Sequence, residues 1–143
     1  TYVNGNAYGT TKKSVEEARA RGKNVILDVD TIGAMKIRAL CPDATLIYIL
    51  PPSWDELKSR LSSTGIYTEE EVNALMEIAE EEISCANNYD YILVNDTISN
   101  TLSRFAQIIH SNRYSRNCMK EFLDSYIDGE VKPHVQSYKE ALL

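Results

Sequence analysis

Two carboxylates two residues apart, Asp28 and Asp30, stand at the end of the apolar run Asn24-Val25-Ile26-Leu27-Asp28-Val29. On an extended strand, residues i and i+2 share a face. Such a pair can accept hydrogen bonds from a ligand or hold a hydrated Mg²⁺, a hard cation that takes oxygen ligands and keeps several of its waters. The same acids can instead cap the helix that follows, because a carboxylate accepts from the free N–H groups of a first turn. Both readings stand on spacing alone. The loop Gly5-Asn6-Ala7-Tyr8-Gly9-Thr10-Thr11 joins turn formers to hydroxyls that suit a small polar ligand. Two further strand ends, Leu50-Pro51-Pro52-Ser53 and Val94-Asn95-Asp96, are positions of the same kind. Ligands of open parallel sheets bind beyond the carboxyl ends of the strands, so these three ends are where chemistry is expected.

The elements that must position them follow from apolar periodicity. Near-continuous apolar runs at 24–29, 44–50 and 90–95 predict strands buried on both faces, as in a parallel sheet. Helices are predicted at 12–21, 32–40, 53–61, 69–87 and 99–112. Ser14-Val15-Glu16-Glu17, Ser53-Trp54-Asp55-Glu56 and Thr68-Glu69-Glu70-Glu71 each fit a capping box, and Gly22 stands where the first helix would stop. Strands alternating with helices give an α/β fold in which helices flank a parallel sheet. Three strands make a thin sheet, and its remaining partners are expected upstream of Thr1, where the chain starts without an initiator Met. After Tyr114 the pattern weakens. Met119, Phe122, Leu123 and Tyr126 suit one amphipathic helix ending near Gly129.

Composition narrows the function classes. The chain has 143 residues, 43% hydrophobic and 25% charged, which suits one globular domain with its own core. Its net charge of −6 argues against general nucleic-acid binding, which needs a basic face to displace counterions. The longest apolar run, Leu46 to Leu50, is too short to enter a membrane. Cys41, Cys85 and Cys118 are odd in number and widely spaced, as expected of reduced thiols in a cytosolic protein.

The ordered motifs resemble a known family. Gly5-Asn6-Ala7-Tyr8-Gly9-Thr10-Thr11 with Val15 is similar to the guanylate kinase pattern GNxYGTxxxxV. Gly22-Lys23-Asn24-Val25-Ile26-Leu27-Asp28-Val29-Asp30 resembles GKxVILDID. Pro42-Asp43-Ala44, Ile49-Leu50-Pro51-Pro52-Ser53, Arg60-Leu61, Thr68-Glu69-Glu70, Tyr89-Asp90-Tyr91 and Val94-Asn95-Asp96 follow in family order, and the resemblance covers about residues 2–112. It implies a P-loop nucleoside monophosphate kinase-like fold, a three-layer parallel sheet flanked by helices and incomplete at its N-terminus. It also implies the transfer of the γ-phosphate of ATP to GMP. By the same resemblance Tyr8 matches a contact to the GMP phosphate and Thr10 one to guanine. Asp28 and Asp30 match acids near the metal and acceptor nucleotide, and Asn95 an asparagine near adenine. The implied division is 1–11 as the end of the GMP-binding subdomain, 12–58 and 89–112 as the core, 59–88 as a lid-like segment, and 113–143 as a C-terminal extension.

The departures from the pattern bear most on function. No Gly-rich phosphate loop is present, so ATP is not expected on this chain by itself, and Mg²⁺ would enter only with ATP in an active protein. The family's DxDxQG reads Asp28-Val29-Asp30-Thr31-Ile32-Gly33, with Ile32 in place of the amide. Its lid pattern RLxxRG reads Arg60-Leu61-Ser62-Ser63-Thr64-Gly65, and its later KRL falls on Ala74-Leu75-Met76. Thr64 and Leu75 thus replace two arginines, leaving Arg60 as the candidate catalytic cation. From Leu61 to Asp90 there is no Lys or Arg, while Glu69, Glu70, Glu71, Glu77, Glu80, Glu81, Glu82 and Asp90 are acidic. The expectation is a guanylate-kinase-like module with part of a GMP pocket and a lost catalytic lid, serving as a binding or scaffold element with protein partners. The alternative is an active guanylate kinase whose phosphate loop lies upstream.

Overall fold

The structure, a computed structural model, describes the backbone of Tyr2–Val3 and Asn6–Ala7 and residues 9–129 throughout. It divides into two compact units, residues 1–44 and 45–143.

In the first unit, β1 (Tyr2–Val3) pairs antiparallel with β2 (Asn6–Ala7), a short hairpin that the apolar periodicity does not signal. Helix α1 (Lys12–Ala20) is capped by Thr11, whose hydroxyl oxygen accepts from Ser14 N, rather than by Ser14 as the box pattern predicts. Thr11 wins because Lys12 and Lys13 already take helical backbone. At the other end Gly22 adopts φ +72°, with its N–H on Arg19 O and that of Lys23 on Ala18 O. This is the paired closure that favours glycine just past a helix. Helix α2 (Thr31–Leu40) begins at Asp30.

The strand expected at 24–29 is not in a sheet. Among the described residues nothing pairs with this segment, and Ile26 is 66% and Val29 45% exposed. An apolar run states a preference for burial, but a parallel strand exists only when a neighbour takes its N–H and C=O groups. The sheet is therefore smaller than the three strands expected.

That sheet lies in the second unit. Strands β3 (Ile47–Leu50) and β4 (Tyr91–Val94) run parallel, with Ile47 opposite Tyr91 and Leu50 opposite Val94. Both are shorter than the apolar runs that announce them, and β3 stops where Pro51 and Pro52 have no N–H to give. Between the strands come α3 (Trp54–Ser63), α4 (Glu69–Glu82) and a 3₁₀ turn over Ile83–Asn88. Thr68 and Glu71 cap α4 reciprocally, and Ser53 caps α3 by accepting from Glu56 N at 3.1 Å. Helices α5 (Ile98–Asn112) and α6 (Lys120–Ile127) follow, and Gly129 with φ +73° lies just past the last of them. The fold is thus mixed α/β, a small parallel sheet with helices. Leu46, Val72, Ala86 and Leu93 are buried in this unit, and Tyr48 meets Tyr89 edge-to-face at 5.0 Å.

One carboxylate starts the ladder. Asp90 Oδ2 accepts from Leu46 N at 2.7 Å, while Asp90 N and Tyr91 N both donate to Leu46 O. A half-buried amide bonded to a charged acceptor loses more than a neutral bond when that acceptor goes, on the order of 1–3 kcal/mol. Asp90→Ala should therefore lower the unfolding free energy by about that amount in urea titrations, while Asp90→Asn, which keeps an acceptor, loses less than half of it. An Ala variant within about 0.5 kcal/mol of the parent, the range of ordinary surface changes, would remove Asp90 from this role.

Candidate functional site

The acids singled out at 28 and 30 have separate environments. Asp30 Oδ1 accepts from Gly33 N at 2.6 Å and so caps α2. A Cβ on residue 33 would stand 2.9 Å from that oxygen and 3.1 Å from Val29 Cβ, so the cap needs glycine there. Asp28 is exposed, and the strand face the pair would share is missing. No group of three or more His, Cys, Asp or Glu that could hold a metal occurs among the described residues. Thr10 is exposed just before the Thr11 cap. Tyr8 lies outside the described residues.

A denser arrangement occupies the carboxyl end of β4. Asn95 N donates to Leu50 O at 2.7 Å, which closes the ladder. Asp96 then gathers three donors: Thr97 N at 2.6 Å, Arg104 Nη2 at 3.0 Å and Asn100 Nδ2 at 3.3 Å. Arg104 Nη1 also donates to Val94 O, so one guanidinium holds both the strand end and the turn after it. The Thr97 N–H bond holds the Asp96 carboxyl below the usual range; partial burial opposes this, and Arg104 and Asn100 reinforce it. The spacing Asp96, Asn100, Arg104 repeats every four residues and is legible in the sequence, yet motif reading passes over it because it belongs to no catalytic pattern.

Arg60, the cation expected to act on phosphate, is engaged here. Its Nε donates to Glu56 Oε1 at 2.7 Å and its Nη2 to Asp96 O at 3.2 Å. It ties α3 to the turn between β4 and α5. Thr64, which stands where the resemblance places an arginine, ends α3: its hydroxyl donates to Leu61 O, and Gly65 follows with φ +67°. Leu75 is half-buried in α4.

Family comparison agrees with the order of these motifs. The guanylate kinase family model matches residues 1–112. The chain belongs to the guanylate kinase family. It is 39% identical over 137 residues to a guanylate kinase of Clostridium acetobutylicum, covering 95% of this chain and 64% of that protein. A guanylate kinase of Francisella tularensis is 44% identical over 108 residues, 75% of this chain and 57% of its own length. One from Clostridium perfringens is 37% identical over 136 residues, 95% of this chain and 62% of the relative. The chain thus spans less than two thirds of the length of the curated relatives it matches. The P-loop kinase-like fold class follows from this membership. All three cysteines are free thiols, and among the described residues no helix is long and apolar enough to cross a membrane.

The lowered Asp96 carboxyl has a consequence for acid stability. A group whose folded pKa is depressed adds stability above its unfolded value, near 3.9, and loses it as pH falls through the folded value. Urea midpoints measured from pH 6 downward should therefore drop below about pH 4, and Asp96→Asn should flatten that drop while starting from a lower midpoint at pH 6. Parallel acid limbs for parent and variant would mean that Asp96 does not contribute to them.

Proposed function

We propose that this protein is a nucleotide-binding module of the guanylate kinase family in which phosphoryl transfer is suppressed, and that it acts by binding, as a scaffold element for protein partners. GMP is the ligand expected on the side of Tyr8, Thr10, Asp28 and Asp30, and an adenine nucleotide on the side of Asn95. One observation carries the reading: no cation is available in the segment that should cover a moving phosphoryl group. From Leu61 to Asp90 the sequence has no Lys or Arg, and Arg60 just before it is bonded to Glu56 and to the Asp96 carbonyl.

The physics of the reaction makes that lack decisive. Phosphoryl transfer asks the protein for positioning and for positive charge around the transferring group, and one well-placed arginine is worth about 10³–10⁵ in rate. Thr64 and Leu75 supply neither. The acidic first turn of α4, Glu69, Glu70 and Glu71, favours its helix but offers phosphate only repulsion. Mg²⁺ bound with ATP would neutralise part of the phosphate charge, but it stabilises the transferring oxygens fully only together with protein cations. A second reading, an active guanylate kinase, is favoured by identities of 37–44% to curated guanylate kinases.

The test is steady-state turnover of ATP and GMP with Mg²⁺ by the protein expressed from its complete reading frame. Turnover at least about a thousandfold below the usual kinase range of roughly 1–100 s⁻¹ is expected, with heat of GMP binding still measurable by calorimetry. The double change Thr64→Arg and Leu75→Arg should raise the rate by about 10²-fold or more. Turnover of the parent within that range would establish the active enzyme instead.

A further inference from the structure

The outer edge of β4 is unpaired and opens onto a groove. Tyr91 N donates to Leu46 O and Asn95 N to Leu50 O, both on the β3 side. The groups of a strand that bond one parallel neighbour belong to every second residue. Tyr91, Leu93 and Asn95 therefore turn their N–H and C=O groups to β3, and Ile92 and Val94 turn theirs away. Among the described residues β4 has no second neighbour strand. One outward group is taken, Val94 O, which accepts from Arg104 Nη1 at 3.1 Å. Beside the others lies an open groove of about 680 Å³ between β4 and α5, whose walls include Ile92, Val94, Gln107, Ile108 and Ser111. Ile92 is 58% exposed. The strand carries no charged residue or proline, the usual guards of a free edge.

We infer that this edge is a docking site for an extended acidic peptide of a partner protein, which adds to β4 as a new strand. Ile92 N–H, Ile92 O and Val94 N–H offer main-chain bonds at strand spacing, and alternate side chains of the peptide fall into the groove against Ile108 and Gln107. The charge of the occupant follows from α5 and the chain after it. From Thr97 to Lys120 there is no Asp or Glu, while Arg104, Arg113, Arg116 and Lys120 are cationic. Arg104 is answered by Asp96 at 3.0 Å, whereas Arg116 and Lys120 are exposed. Helix α5 runs back along β4: Arg104 meets Val94, and Ser111 shares the groove's other end with Tyr91. The cations that follow α5 therefore leave from the Tyr91 end, where carboxylates of the peptide would meet them. Complementary charge of this kind steers encounter and disfavours wrong partners. A second copy of this chain, with a net charge of −6, lacks that attraction. The site needs no nucleotide, so it stands apart from the question of phosphoryl transfer and gives the proposed protein partners a surface.

Amide hydrogen exchange and peptide titration on the protein from the complete reading frame test it. In the free protein, Ile92 and Val94 amides should exchange at least about tenfold faster than those of Tyr91, Leu93 and Asn95. The probe is a short peptide of alternating valine and threonine that ends in a run of glutamates. It should slow the Ile92 and Val94 amides by at least about fivefold, and a lysine-ended version should bind at least about tenfold more weakly at low salt. Ile92→Pro removes one outward donor and no bond to β3, so it should weaken the glutamate peptide by at least about fivefold while Leu93 stays protected. Exchange on the parent decides the matter should the proline disturb β4. Slow exchange of Ile92 and Val94 in dilute free protein would mean that the edge is already covered. Protection that grows with protein concentration alone would mean that a second copy fills it. Either result overturns the inference, as does a glutamate probe that fails to bind at millimolar concentration or binds no better than its lysine version. None of these outcomes bears on turnover of ATP and GMP, so the two proposals fail separately.

Discussion

The parallel pairing of β3 and β4 organises residues 45–129. Each strand has four residues, and two short parallel strands have little stability of their own. What fixes them is polar chemistry at the two ends. Asp90 holds the first amide of the ladder through Leu46 N, and Asn95 N closes it on Leu50 O. From that closed end the chain turns into α5 through Asp96, which helices on two sides grip with a guanidinium: Arg104 on its carboxylate and Arg60 on its carbonyl. Register, turn and helix placement thus rest on hydrogen bonds at the two strand ends, those of Asp90, Arg60 and Arg104 being charge-assisted.

That economy has a functional consequence. A guanidinium is a planar fork whose donors work best when they are all matched. Arg60 has spent donors on Glu56 and on backbone, and to approach a phosphate it would have to leave them. Positions 64 and 75, where the resemblance places arginines, hold a threonine that ends a helix and a half-buried leucine. Both serve the fold well. The family membership is clear, while the stretch from Leu61 to Asp90 carries no Lys or Arg, the observation on which the proposed loss of phosphoryl transfer rests.

How much of this was legible in the sequence depends on which interactions carry each feature. Helices were read well because caps and periodicity are local: Ser53, Thr68 and Gly22 act where their types say they should. Strand 24–29 was misjudged because apolar character is local but pairing is not, and its partner cannot be read from its own residues. Asp28 and Asp30 left two readings open; Asp30 proves to be a cap, fixed by the close approach of Gly33. Motif resemblance singles out Asn95 and Arg60 as candidates, but their partners Thr101, Glu56 and Asp96 emerge only when the turn after β4 folds back on two helices. The lack of Lys and Arg from Leu61 to Asp90 is legible in the sequence alone, since an absent side-chain type needs no structure to reveal it.

The central claim is that phosphoryl transfer itself, rather than nucleotide binding or product release, is what this protein lacks. Single-turnover quench kinetics test it most directly, with ATP, GMP and Mg²⁺ held on excess protein from the complete reading frame and the γ-phosphate followed by radiolabel. The account predicts that the label stays on ATP for minutes while both nucleotides are bound. Appearance of labelled GDP within about a second, the time of one turnover for an ordinary kinase, would contradict it.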